Sequence, residues 1–279
     1  MRRRAAVLGK PISHSLSPVI HNAGYAAAGL TGWSYRAIEC AEAELGDLLA
    51  GFGPEWAGLS LTMPLKEVAL GLANDVAPIA ATVGAANTLV HRPDGTWYAD
   101  NTDVAGMVAV LAAAGVREGA EFTVLGAGGT ARAALGAAAS LGSDLVTICV
   151  RRRSAGEELA RVAHGLGLKT RIRDFADALA PGGTEPGGAA VLVSTVPAGA
   201  ADRLGAARMR WHPGTVVFDV VYAPWPTPLA AAAGQAGCRV VSGLDLLLAQ
   251  AVGQFEQFTG AAAPVDAMRV ALAAARPSG

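Results

Sequence analysis

The stretch TVLGAGGTARAALGAAASLG, residues 123–142, constrains this chain more than any other. A short β-rich run ends at Gly126-x-Gly128-x-x-Ala131 and passes directly into an Ala-rich helical segment. Glycines there let the backbone turn tightly and approach a bulky anion. The helix that follows offers unpaired N–H groups and the positive end of its dipole. A tight turn that uses glycine only for packing gives the same letters, so the motif gains force from its setting.

That setting is a run of strands. Apolar, β-branched segments fall at 122–125, 145–150, 169–173, 190–195, 215–220 and 239–242, with helical stretches in most of the gaps. This predicts a doubly wound parallel sheet that binds a dinucleotide. A Pro/Gly-rich stretch at 179–190 reads as a surface loop inside this block. Residues 1–121 predict further strands at 5–8, 34–38 and 58–61. They also hold a hairpin, NTLVH and TWYAD around Asp94-Gly95. Helices are predicted at 18–28, 41–50, 65–73 and 104–114, and a last one with a broad apolar face follows Gly243. A length of 279 residues suits two such domains, and 52% hydrophobic residues supply their cores.

Charge excludes some partners. With a net charge of −1 and 16% charged residues, no basic field invites nucleic acid. No apolar run is long enough to span a membrane. The apolar run after Arg2-Arg3-Arg4 is too short for a secretory signal. Cys40, Cys149 and Cys238 lie far apart and read as reduced, buried thiols of a cytoplasmic protein, without metal-ligand spacing. No metal site is expected. Five histidines show no ligand pattern either, and His14 is the best placed for an orienting role.

The dinucleotide is expected to be NADP(H). The strand at 145–150 ends in Val150-Arg151-Arg152-Arg153, with no acid before Glu157. A carboxylate would repel a 2′-phosphate, whereas guanidinium groups bind it. A solvated basic loop explains Arg153 well and the other two less well.

For the reacting end, Lys66 is predicted just past the strand 58–61, in the first turn of the helix 65–73. A helix N-terminus disfavours a cation and would lower its pKa toward that of a general base. Asp103 opens the helix 104–114, either as its N-cap or as the partner of Lys66. Gln250 is an amide on an apolar helix, satisfied in the core or facing a ligand. Asn87 starts a strand, with a turn role as the plain alternative, and Tyr222 belongs to the core or to a ligand site. Ser15 and Ser17 precede and abut Pro18. Proline favours an extended residue before it, and residues two apart on an extended chain face one way. The pair could then clamp one carboxylate, unless Ser17 caps the helix that Pro18 opens.

Taken together, the motifs GKPISHSLSPVIHN, SLTMPLK, AANTL, DNTD, GAGGTAR, YAPWPTPL and SGLDLLLAQA resemble those of shikimate dehydrogenases over nearly the whole chain. The resemblance implies two α/β domains with a cleft between them. One is a substrate domain with an open, mostly parallel sheet, residues 1–103 completed by C-terminal helices 243–279. The other is a doubly wound Rossmann domain for NADP, residues 104–242. It implies reversible, NADPH-dependent reduction of 3-dehydroshikimate, with Lys66 and Asp103 catalytic. Ser15, Ser17, Thr62, Asn87, Tyr222 and Gln250 would complete the substrate site. Gly126, Ala127, Gly128, Gly129 and Thr130 would cradle the pyrophosphate, with Arg151 and Arg152 as the adenosine-phosphate clamp. Val220 and Gly243 would lie near the nicotinamide. The small-molecule substrate is the expected partner, with a homodimer left open. Two departures stand out. The clamp usually reads Asn-Arg-Thr where this chain has Val150-Arg151-Arg152, and Ser60 stands where many members have Asn. A quinate/shikimate or aminoshikimate dehydrogenase is the rival enzyme, and a silent NADP-sensing module the rival from another class.

Overall fold

The computed structural model describes residues 2–175, 190–203, 211–212 and 214–275. It divides into two compact units, residues 1–106 with 247–276 and residues 107–246 with the last three residues. These divisions fall inside two helices, Thr102–Ala113 and Gly243–Thr259.

The first unit is built on a six-stranded sheet, and the chain order of its strands is β1 Arg3–Gly9, β2 Trp33–Glu39, β3 Trp56–Leu61, β4 Asp75–Val76, β5 Thr88–His91 and β6 Trp97–Asp100. Their order in the sheet is β2-β1-β3-β5-β6-β4. β5 alone runs against its neighbours, because it is the first arm of the hairpin with β6. The other strands run one way, as expected of a mostly parallel sheet. β3 is buried at every position, which explains its unbroken apolar run. Gly58 in β3 is required by packing: a Cβ there would lie 2.2 Å from the ring of Phe258. α1, Ser17–Ala27, covers this face with Ile20, His21 and Tyr25.

Two predicted helices change shape. Residues 41–50 form a 3₁₀ turn, Glu42–Glu44, and then α2, Leu45–Ala50. The segment 65–73 is mostly turn, and only α3, Ala69–Leu72, is helical. The cause is tertiary. The Ala86 N–H binds the Lys66 carbonyl at 2.7 Å, and the Leu70 N–H turns to Glu67 instead. The sequence reading also passed over α4, Pro78–Val83, which starts on proline and stops at Gly84 with φ +69°. That proline-first, glycine-last pattern was there to be read.

In the second unit every predicted strand is present. In chain order they are β7 Phe122–Leu125, β8 Leu145–Val150, β9 Lys169–Asp174, β10 Val191–Ser194, β11 Val216–Asp219 and β12 Arg239–Ser242. All pairings are parallel, and the sheet order is β12-β11-β10-β7-β8-β9. This is the doubly wound order, whose direction of winding reverses between β7 and β10. The helices around it are α5 Thr102–Ala113, which starts two residues before its predicted position, α6 Gly129–Ser140, α7 Arg153–Gly165 and α8 Pro228–Gln235. The predicted Pro/Gly-rich loop lies outside the described residues except for Ala190. The chain closes with α9 Gly243–Thr259 and α10 Val265–Ala274. No described helix is long and apolar enough to cross a membrane. The three cysteines are free and buried.

His21, not His14, is the buried histidine. His14 is exposed, while His21 is fully buried and stacks on Tyr35 with ring centroids 4.1 Å apart. Burial lowers its pKa to about 3, with the Gln254 side chain offsetting part of that fall. An unfolded histidine takes its proton near pH 6.5, so as pH falls below that value the unfolded chain binds more protons and stability declines. Asp219, whose carboxyl is raised by burial, works with the opposite sign. Comparing wild type with His21→Phe isolates the histidine. Between about pH 7 and about pH 5, the wild-type urea midpoint should fall more than that of the variant. Equal falls would contradict this reading.

Candidate active site

The candidate site of the first unit lies where β1, β3 and β6 end and β5 begins. In parallel sheets the carboxyl ends of strands are where ligands bind. Two loops are stitched there by backbone bonds, Lys10 N–H to the Met63 carbonyl at 3.0 Å and Thr62 N–H to the Leu8 carbonyl at 2.9 Å.

Lys66 and Asp103 meet at this edge. Lys66 Nζ donates to Asp103 Oδ2 at 2.6 Å, with side chains only 14% and 7% exposed. The helix-dipole argument for Lys66 fails, because the residue sits in turns ahead of α3. Its position instead comes from Leu65, which is fully buried, and from the Ala86 bond to its own carbonyl. Among the described residues, Asp103 is the one protein acceptor for the ammonium, which leaves protons for another partner. The cap role expected of Asp103 belongs to Asn101. Asn101 Oδ1 accepts the Val104 N–H at 3.3 Å, and its Nδ2 donates to the Ala85 carbonyl at 2.8 Å. Asp103 is therefore free for the lysine.

Asn87 and Gln250 are also brought together, with Asn87 Nδ2 3.4 Å from Gln250 Oε1. Asn87 Oδ1 accepts the Thr102 N–H at 2.8 Å, one residue before Asp103. Gln250 Nε2 donates to the Leu247 carbonyl of its own helix. Sequence reasoning missed Gln254, one helical turn past Gln250 on the same face, which is fully buried. The spacing of four was the available signal.

The serine pair departs from expectation. α1 begins at Ser17, and Leu16 is helical, with φ −86° and ψ −5°. The chain is not extended there, so the two-apart argument does not hold. Ser17 makes no cap bond; instead Ser15 Oγ accepts the Ser17 N–H at 3.3 Å. Thr62 and the serines share the strand-end edge, yet no hydrogen bond joins them to Lys66 among the described residues.

The remaining predicted residues belong to the second unit. β7 ends at Leu125, and Gly126 has φ +102°; a Cβ there would lie 2.6 Å from Thr195 Oγ1 at the end of β10. Gly128 caps α6 without a side-chain bond, the first turn holds no acid, and the space over Gly128 is open. Ala127, Gly129 and Thr130 complete this turn. An uncapped helix start beside open backbone suits a diphosphate. Arg153 donates to Glu157 within α7, as the plain reading of that residue expected. Arg151 and Arg152 are exposed and without an ion-pair partner among the described residues. They suit a 2′-phosphate. Gly243 is packed against Val220, whose carbonyl oxygen would lie 1.9 Å from an added Cβ. Tyr222 is half-buried, and burial raises its hydroxyl pKa.

The doubly wound fold of the second unit and the buried lysine–aspartate pair of the first fit an NADP-dependent oxidoreductase, the class to which the relatives belong. Residues 7–89 match the family model of the shikimate dehydrogenase substrate binding domain, and 243–272 that of the shikimate 5'-dehydrogenase C-terminal domain. A Cereibacter sphaeroides protein named shikimate dehydrogenase (NADP(+)) is 38% identical, with 94% of this chain and 93% of that protein covered. The crystal structure of Mycobacterium tuberculosis shikimate dehydrogenase superposes with a TM-score of 0.84 at 46% identity, covering 98% and 99% of the two chains. A Thermus thermophilus enzyme solved with NADP(H) and shikimate gives 0.83 at 29% identity, covering 98% and 99%. The chain belongs to the shikimate dehydrogenase family.

The two glycines should separate on substitution. Gly126→Ala should destabilise the fold by about 1–3 kcal/mol, through strain at positive φ. Gly128→Ala should leave the urea midpoint unchanged but weaken NADPH binding about tenfold or more, read by fluorescence titration. Unchanged binding in Gly128→Ala would remove the turn from the cofactor site.

Proposed function

We propose that the chain catalyses the reversible, NADP-dependent reduction of 3-dehydroshikimate to shikimate. The buried Lys66–Asp103 pair carries this reading, since it places a proton donor and a fixed carboxylate at one strand-end edge. The first unit takes the substrate and the second takes NADP(H). Bound NADPH supplies the hydride to the carbonyl carbon. Lys66, as the ammonium, gives a proton to the oxygen as it gains charge, and neutral Lys66 takes it back in the oxidation direction. Asp103 holds the ammonium in place. Asn87 and Gln250 orient the ring through their amides, and Tyr222 completes the substrate contacts. Ser15, Ser17 and Thr62 bind the substrate carboxylate by their hydroxyls. Arg151 and Arg152 select the 2′-phosphate, Gly126 to Thr130 hold the pyrophosphate, and Val220 and Gly243 border the nicotinamide.

The deciding assay follows NADPH absorbance with shikimate and with quinate, each against NADP and NAD. Shikimate with NADP should be the best pair. Comparable quinate turnover with NAD would favour the broader dehydrogenase, and NADPH binding without turnover a sensing module. Lys66→Ala should lower kcat by about 10²–10⁴-fold, measured on protein shown by circular dichroism to be folded at the assay temperature. Ser15→Ala should raise KM for shikimate and leave KM for NADP nearly unchanged; equal weakening of both would count against the carboxylate role.

A further inference from the structure

We infer that Gln254 is a positioning residue that makes Asn87 present its amide N–H, rather than its oxygen, to the substrate. This rests on the proposed function, in which Asn87 touches the ring.

A chain of buried hydrogen bonds runs from Tyr35 to Asn87. The Tyr35 hydroxyl donates to Ser60 Oγ at 2.5 Å. Ser60 then spends its own proton on Gln254 Oε1, at 2.6 Å. With its oxygen taken, the Gln254 amide must turn its nitrogen the other way. Nε2 donates to the backbone carbonyl of Asn87 at 3.1 Å and to Thr88 Oγ1 at 3.1 Å. Thr88, now an acceptor, donates its proton to Asn87 Oδ1 at 2.8 Å. The Thr102 N–H takes a further position on that oxygen. Asn87 Oδ1 is thereby filled with donors, and Nδ2, buried like the rest of the side chain, donates to Thr102 Oγ1 at 3.0 Å and lies 3.4 Å from Gln250 Oε1. Gln254 joins two strands and a helix start: Ser60 on β3, Thr88 at the head of β5 and, through Thr88 and Asn87, Thr102 at the start of α5. It is fully buried, and both halves of its amide are used, so losing it strands polar groups on either side. The stack of His21 on Tyr35 holds the phenol where the chain starts.

The test is a double-mutant cycle on the full-length enzyme. Gln254→Met keeps the length and removes the hydrogen bonds. It should raise KM for shikimate about five- to tenfold, with kcat within about twofold and KM for NADP unchanged. Combined with Asn87→Ala, it should add no more than about twofold to the loss from Asn87→Ala alone. Independent, additive losses would overturn the inference, as would a normal shikimate KM in Asn87→Ala. If a member of the cycle does not fold, Ser60→Ala decides. It removes the proton that occupies Gln254 Oε1, and a rise in shikimate KM alone supports the chain, while an unchanged KM overturns it. Absence of shikimate turnover by the wild type would instead count against the proposed function.

Discussion

Two opposite charges held 2.6 Å apart, and nearly out of water, set the terms for the first unit. Each charge is costly to bury alone, and removing one partner of a buried pair typically costs about 3–5 kcal/mol. The surrounding residues keep the pair in register. A backbone bond from Ala86 fixes Lys66, and the Asn101 cap fixes the start of the helix that bears Asp103. Both anchors come from segments that flank the hairpin β5–β6. The hairpin therefore does more than extend the sheet, because its antiparallel turn returns Asn87 and Asp103 to one edge.

The second unit solves a different problem. On the proposed reading it meets a phosphate-rich ligand with backbone rather than side chains. The crossing point of the sheet, between β7 and β10, supplies it. Gly126 packs against Thr195 there, so the turn is tight, while Gly128 stays open. Where the strand β8 ends, arginines stand in place of the acid that would hold a ribose hydroxyl.

The strands of the second unit were legible to within a residue or two, and the reason is physical. Strands buried on both faces need continuous apolar runs, and β7, buried at every position, spans FTVL from end to end. The Lys66–Asp103 pairing was also within reach, but not for the reason the sequence suggested. Lys66 avoids a helix because Ala86, twenty residues later, takes its carbonyl, and no local pattern announces that bond. The serine pair misled for a similar reason. Pro18 opens a helix here rather than holding Ser17 extended. The spacing of four from Gln250 placed Gln254 on the same helix face, but its role shows only when its partners, Ser60 and Thr88, are seen across the sheet.

On the proposed mechanism Lys66 and Asp103 flank the oxygen that gains or loses the proton. A crystal structure of the complex with shikimate and NADP tests it directly. The account predicts Lys66 Nζ within about 2.6–3.2 Å of the ring hydroxyl that is oxidised, with Asp103 on the same group. A shikimate hydroxyl held by other residues, with Lys66 still turned only to Asp103, would contradict it.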